Sequence, residues 1–378
     1  MRRRLVRILF IVLVFPPILA AIAGWVGAPG FLHPIRRELT PDLIREADAS
    51  FAQTHSTRQD FNVRATDGVL LHGWKVIPPN PNGSWVILFH GVADNRVGVI
   101  GQSEFLLRAG YSVVMMDARA HGASEGSMAT YGWLERNDTC AVIDALLESE
   151  RSSPSVPCQT SAASSKISCA NSTPQSAANT AANPNATPHS ESSTSSTSLT
   201  SSTSLASSTS PIHHIFALGE SMGAGLALQS AAADPRIEAV VAEAPFASLR
   251  EASYDYAGLR FSPFLGKTLL RPFSWTLLYR GQKVSGLDIS LVSPEKSVAS
   301  RAFPILLICD EKDEALPCRH AQAIYNAAIG PKQLWVVPGA YHTAALGFQP
   351  AEFVRRVTQF FAENARPPVI STQKKDEK

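Results

Sequence analysis

Hydrophobic and polar positions alternate differently in three parts of the chain. From Ile8 to Ala28 the run ILFIVLVFPPILAAIAGWVGA carries no charge at all. From Asp60 the pattern becomes short and regular. FNVRAT, the turn pair Asp67-Gly68, and VLLHGWKVI together predict a β-hairpin. SWVILF (Ser84–Phe89) and YSVVMMD (Tyr111–Asp117) are continuous apolar runs, as expected of strands buried on both faces. Between them a helical pattern passes through Phe105 and Leu107 and closes at Gly110, and another runs from Trp133 to about Ser149. Further strands are predicted at His213–Leu218, at IEAVVAEAP, at Pro304–Asp310 and at Gln333–Val337. Helices are predicted to about Ala233, through Ile324, and from about Pro350 to Glu363. An opening hairpin followed by strand–helix alternation implies an α/β domain, a mostly parallel sheet of eight strands with helices on both faces.

Two stretches depart from this rhythm. From about Arg151 to Ser210 nearly every residue is Ser, Thr, Ala, Asn or Pro. Such a segment buries too little apolar surface to offset the entropy of ordering it, so residues 151–210 read as a disordered insertion in a surface loop. Residues 246–300 are aromatic and mixed without a clear strand, and read as a small cap over the site. The expected organisation is a membrane anchor or signal at 1–30, a spacer with a short helix (Pro41 to Phe51) at 31–59, and an enzyme domain at 60–366. A disordered tail follows at 367–378.

The charge-free run is preceded by MRRRLVR. About 20 apolar residues suffice to cross a bilayer as a helix. The four arginines predict a cytoplasmic N-terminus with the rest of the chain exported, and Trp25 at the far interface. Pro16 and Pro17 are tolerated in membrane helices. Two other readings stay open: a signal peptide cleaved near Ala21-Ile22-Ala23, and a helix packed on the enzyme.

Overall composition adds exclusions. The 378 residues carry a formal net charge of +2, which gives no reason to expect nucleic acid as a partner. The five cysteines are too few and scattered for a disulfide framework, and none show the spacing of a zinc or dithiol site. No pattern specifies an oligomer.

The chemistry concentrates at Gly219-Glu220-Ser221-Met222-Gly223, where an apolar strand enters a helix. A serine on a tight strand-to-helix turn needs residues without bulk two before and two after it. Gly219 and Gly223 meet that need, and Gly225 lets the helix approach closely. The helix N-terminus adds partial positive charge where an oxyanion would form. A serine nucleophile needs a base, and the base an orienting acid. Of the two histidines that follow, His342 comes after the strand QLWVV through Pro338-Gly339-Ala340-Tyr341, on the same rim as Ser221, whereas His320 lies in a helical pattern and reads as a surface residue. Four carboxylates follow the strand ILLIC; the D-x-x-L-P ending favours Asp313, with Asp310 in reserve. The Met222 N–H and, after the strand ending in His90-Gly91, the Val92 N–H are the candidate oxyanion donors. His90 reads as a brace for its loop.

LFHGVADNR, DARAHGASEG, GESMGAG, D-x-x-L-P and PGAYH together resemble the serine α/β-hydrolase superfamily, in its single-domain esterase and peptidase branch with an N-terminal membrane segment. The resemblance covers roughly residues 60–363 apart from the insertion. It implies the α/β-hydrolase fold and acyl transfer to water by Ser221, His342 and Asp313, without metal or organic cofactor. It also implies a mainly structural loop at Asp117, Arg119, His121 and Gly122. The family often has Gly where Asp310 stands. The expected substrate is a small acyl ester, with a peptide or amide as the alternative; a peptidase or amidase, or an acyltransferase of the same fold, is the alternative activity. Tyr254, Tyr256, Phe261, Phe264, Phe273 and Trp275 of the cap are candidates for an apolar acyl pocket. A membrane-tethered binding protein on the same fold is the alternative of a different class.

Overall fold

A computed structural model describes residues 2–152, 212–258 and 262–365. The insertion expected at 151–210 lies, but for its first two residues, outside them, as do Phe261 and the expected tail.

The sheet has eight strands: β1 (Thr57–Arg64), β2 (Leu70–Ile77), β3 (Ser84–Phe89), β4 (Ser112–Met116), β5 (His214–Glu220), β6 (Ile237–Glu243), β7 (Ile305–Asp310) and β8 (Lys332–Val337). Their order is β1-β2-β4-β3-β5-β6-β7-β8. β1, β2 and β4 pair antiparallel, and every later pair is parallel. This is the α/β-hydrolase fold that the resemblance implied. β5 lies in the middle, and the parallel strands β3 to β8 all point their C-terminal ends to one rim. Ligands of open α/β sheets bind at that rim.

The helices are α1 (Arg2–Leu32), α2 (Pro41–Gln53), α3 (Ile100–Arg108), α4 (Glu135–Ser152), α5 (Met222–Ala233) and α6 (Leu249–Ala257). They continue with α7 (Pro263–Lys267), α8 (Arg271–Ser285), α9 (Pro294–Ser300), α10 (Arg319–Ala327), α11 (Ala345–Phe348) and α12 (Pro350–Asn364). The alternation of each central strand feeds two cores. One sheet face buries Ile87, Val114, Ala217 and Val240 under α4, α5, α9 and α10. The other buries Val86, Met115, Phe216 and Val241 under α2, α3 and α12, where Phe216 stacks on Phe361 at 4.7 Å. α9 therefore belongs to the body of the domain. The helices that stand over the rim are α6, α7 and α8, a smaller cap than residues 246–300 suggested.

α1 divides into two parts. Leu13–Leu32 is apolar and long enough to cross a membrane by length and composition. Phe10, Ile11, Phe15, Ile18 and Leu19 are exposed. The end of the helix is packed against protein: Ala28 and Leu32 are fully buried in a third cluster with Tyr131, Met222 and Leu277. Gly24 is required there, because a Cβ would strike the Phe273 carbonyl of α8. Thr276 donates to the Ala21 carbonyl at 2.7 Å, and Tyr131 donates to the Phe31 carbonyl at 2.8 Å. One helix thus combines an exposed apolar stretch with a final third docked on the rest of the domain.

Candidate active site

β5 delivers Ser221 to the rim. Its backbone has φ 54° and ψ −118°, a conformation that costs a non-glycine residue on the order of 1–3 kcal/mol. The surroundings enforce it. Ser221 N–H donates to the Glu243 carbonyl of the neighbouring strand at 2.9 Å, and α5 starts at once with Met222. A Cβ on Gly219 would collide with the Gly223 carbonyl, and one on Gly223 with the Phe89 carbonyl of β3. Gly225 serves a different purpose from the one its position suggested: it makes room for the Phe246 ring.

Three side chains meet at this turn. His342 Nε2 lies 2.9 Å from Ser221 Oγ, and His342 Nδ1 lies 2.7 Å from Asp313 Oδ2. With Nδ1 protonated toward Asp313, Nε2 is left to accept the serine proton. The spacing D-x-A-L has a local cause. Asp313 Oδ1 accepts from the N–H groups of Ala315 and Leu316, both at 2.8 Å, so both carboxylate oxygens are engaged. The side chain of Asp313 is buried, and that of His342 is about one third exposed.

The two loops are knitted to each other and to the sheet. Asp310 Oδ2 accepts from Thr343 N–H at 2.9 Å, and Glu243 Oε1 accepts from Ala345 N–H at 3.0 Å. Asp310, the reserve acid, is thus not the partner of His342; it is almost fully buried as the last residue of β7. Burial pushes its pKa up to about 6, and that of Glu220, held by Gln102, up to about 7. Glu243 is raised well above the carboxylate range by burial and by neighbouring Asp310. A disulfide between Cys309 and Cys318, Cα atoms 5.3 Å apart, closes the loop that carries Asp313. The scatter of cysteines in the sequence gave no reason to expect it, because the two half-cystines meet only once the acidic turn folds back.

His320 also corrects the sequence reading. It is buried, not on the surface: Nε2 lies 2.7 Å from Asp255 Oδ2, and Nδ1 accepts from Ala247 N–H at 3.3 Å. It ties α10 to the cap helix α6 and does not reach Ser221. His90 braces its loop as expected, with Nδ1 donating to the Gly91 carbonyl and Nε2 accepting from Ala118 N–H. Burial lowers its pKa, which keeps it neutral. In the loop that follows β4, Asp117 accepts from the Arg96 guanidinium and from Ala123 N–H, while Arg119 pairs with Asp138 and Asp67.

A cavity of 140 Å³ opens on Ser221. Met222 and Val92 line it together with the serine. Its far wall is Phe246, Leu249, Ala252 and Tyr256 from the cap segment, together with Leu316. Of the other cap aromatics, Phe273 packs near α1, Tyr254 lines a separate outer cleft, and Phe264 and Trp275 are each 77% exposed. Phe31 and Tyr131 complete the cavity, their rings stacked at 4.5 Å. Sequence reasoning missed both, since Phe31 ends the N-terminal helix and Tyr131 lies in a turn far from any motif. Among the described residues no cluster of His, Cys, Asp or Glu is placed to ligate a metal ion.

Comparison with known proteins agrees with this architecture. The model of the X-Pro dipeptidyl-peptidase family (S15) matches residues 45–271. The uncharacterized protein YqkD of Bacillus subtilis strain 168 is 24% identical over 340 residues, 87% of this chain and 89% of that one. Among solved structures, the Pyrococcus furiosus esterase Pf2001 superposes with a TM-score of 0.56 at 20% identity, covering 89% of this chain and all of its own. The Pyrococcus horikoshii acylaminoacyl peptidase does so with a TM-score of 0.50 at 13% identity, over 82% of this chain and 42% of that one. At such identities the superpositions establish the fold, while the family match spans more than half of the sequence and includes the strand–turn–helix at Ser221. The chain is a hydrolase of the serine α/β-hydrolase superfamily and belongs to the X-Pro dipeptidyl-peptidase (S15) family.

Proposed function

We propose that this protein is a carboxylic-ester hydrolase acting through an acyl-serine. Ser221 Oγ attacks the ester carbonyl carbon while its proton passes to His342 Nε2, and Asp313 holds the imidazole in the required tautomer and stabilises the imidazolium. The Met222 and Val92 N–H groups receive the oxyanion. The tetrahedral intermediate expels the alkoxide, which takes the proton from His342. Water, deprotonated by the same histidine, then attacks the acyl-enzyme and releases the acid and Ser221.

The observation that carries the choice of ester is the lining of the cavity. A peptide bound by its free N-terminus presents an ammonium group, which requires a carboxylate when desolvated. The residues facing Ser221 in the cavity are apolar or tyrosine, an environment for an acyl chain. The S15 family match favours the second reading, a peptidase on the same triad. The two are separated by measuring kcat/KM on p-nitrophenyl esters of increasing acyl length and on X-Pro p-nitroanilides. The ester reading expects turnover of esters to rise with chain length and anilide turnover to be far lower; preference for X-Pro anilides would replace it.

The same proposal places the domain outside the cytoplasm on a single membrane span formed by α1. Support comes from four arginines before a charge-free helix. The Cys309–Cys318 disulfide adds to it, since such bonds persist in oxidising compartments.

A further inference from the structure

Phe264 and Trp275 are the most exposed large aromatics among the described residues of the domain, and Tyr279 joins them on α8. Arg271, Trp275 and Tyr279 recur every four residues, so they form one row along a single helix face. That row runs directly into α1. Trp25 stacks on Tyr279 with ring centroids 6.4 Å apart, and the Arg280 guanidinium lies over the Trp25 ring at 5.1 Å while donating to the Trp25 carbonyl. On α1 the exposed Ile18, Ile22 and Val26 continue the apolar surface.

The level of this row follows from the helix. Eighteen residues from Ile8 to Trp25 rise about 27 Å, close to the ~30 Å of a bilayer hydrocarbon core. Arg7 and Trp25 then mark its two borders, and tryptophan and tyrosine are the residues enriched there. Because Tyr279 touches Trp25, α8 is held at that border. Charge agrees: residues 262–287 contain Arg271, Arg280 and Lys283, besides Lys267, which pairs with Glu251 of α6 at 2.6 Å, and they include no Asp or Glu. Behind Trp275, an open cleft of 230 Å³ brings together Arg250, Arg271, Ser274 and Gln282, donors suited to a phosphate.

We infer that the α7–α8 face of the cap docks on the surface of the bilayer that α1 crosses, with its aromatics at the headgroup boundary and its cations against anionic lipid headgroups. This docking rests on α1 being the membrane span proposed above. It also explains why an anchor helix should line an active site. Phe31 is six residues, about 9 Å, beyond Trp25, so docking sets the cavity of Ser221 just above the headgroups, where an acyl ester dissolved in the membrane can reach it.

The test uses the full chain in vesicles of phosphatidylcholine and phosphatidylglycerol, comparing wild type with Trp275→Phe so that the difference in fluorescence belongs to Trp275. Lipids brominated near the top of the acyl chain should remove most of that component, and aqueous iodide should leave it nearly unchanged. Arg271→Gln combined with Lys283→Gln should weaken the bromolipid effect in anionic vesicles and leave it unaltered in pure phosphatidylcholine. A Trp275 component that iodide quenches and bromolipid does not, in a chain that resists carbonate extraction, overturns the docking while the span stands. Shielding from iodide without bromolipid quenching also overturns it, in favour of a second copy on this face. Extraction by carbonate overturns span and docking together. Fluorophosphonate labelling of each variant reports separately on the ester-hydrolase reading.

Discussion

The sheet rim around Ser221 and the cap above it are built on opposite principles. At the rim each element of the chemistry is tied down by close packing or hydrogen bonds: the strained turn by Gly219, Gly223 and the Glu243 carbonyl, the Asp313 carboxylate by two N–H groups, and the His342 loop by Asp310 and Glu243. The cap instead leaves Phe264 and Trp275 exposed, and borrows its inner wall from α1 through Phe31. Positioning to within a few tenths of an ångström needs rigid elements and locked rotamers. Choosing a substrate needs only an apolar surface of suitable shape, which helices from distant parts of the chain can supply.

If the rim carries the chemistry, the largest effects belong there. Asp313→Asn should lower kcat by about 10⁴-fold, and Ser221→Ala or His342→Ala by as much or more, with the fold intact by circular dichroism. Retention of activity in Asp313→Asn would move the orienting role elsewhere, to Asp310 first. Stability should respond next. Gly223→Ala should cost about 3 kcal/mol or more, because its methyl group would meet the backbone carbonyls of both Phe89 and His90, which cannot move without disturbing β3. A neutral Gly223→Ala would mean that the turn is less constrained than the cap. Breaking the Cys309–Cys318 bridge by a double serine substitution should cost about 2–3 kcal/mol in urea unfolding.

Effects at the cap and α1 should fall on binding. Phe31→Ala should raise KM for long-chain esters by about tenfold with kcat held within a few-fold, and Tyr131→Phe should do less, through loss of one hydrogen bond to the Phe31 carbonyl. A fall in kcat alone would show that α1 shapes the rim as well.

The smallest expected effect is on pH dependence. Asp310 has a folded pKa of about 6, raised from 3.8, so the folded state holds its proton more tightly than the unfolded state. The stability this provides is complete below 3.8 and is lost as pH rises through about 6. Asp310→Asn should flatten the decline of the urea midpoint over that window, and an unchanged slope would assign the decline to other groups, Glu220 among them.

The two regions differ in how far the sequence reveals them. The rim is legible because its demands are local. A strand must be apolar, a nucleophile turn must lack bulk on both sides, and an acid followed by A-L closes its own turn, so Ser221, Asp313 and His342 announce themselves by spacing. Asp310 could be held only in reserve because a strand end predicted at Asp310 does not reveal that its carboxylate turns to the Thr343 N–H instead of to His342. His320 was misread because its partner, Asp255, is 65 positions away. Phe31 and Tyr131 were invisible for the same reason: their contribution exists only after α1 has docked, and no local pattern encodes a contact across 100 residues.

Whether Ser221 is an activated nucleophile is decided by covalent labelling of the full chain with a fluorophosphonate, with the modified peptide located by mass spectrometry. Modification at Ser221 in the wild type, lost in Ser221→Ala and slowed at least about a hundredfold in His342→Ala, is the predicted result. A folded wild-type chain that takes up no probe, or takes it up at another serine, would contradict the account.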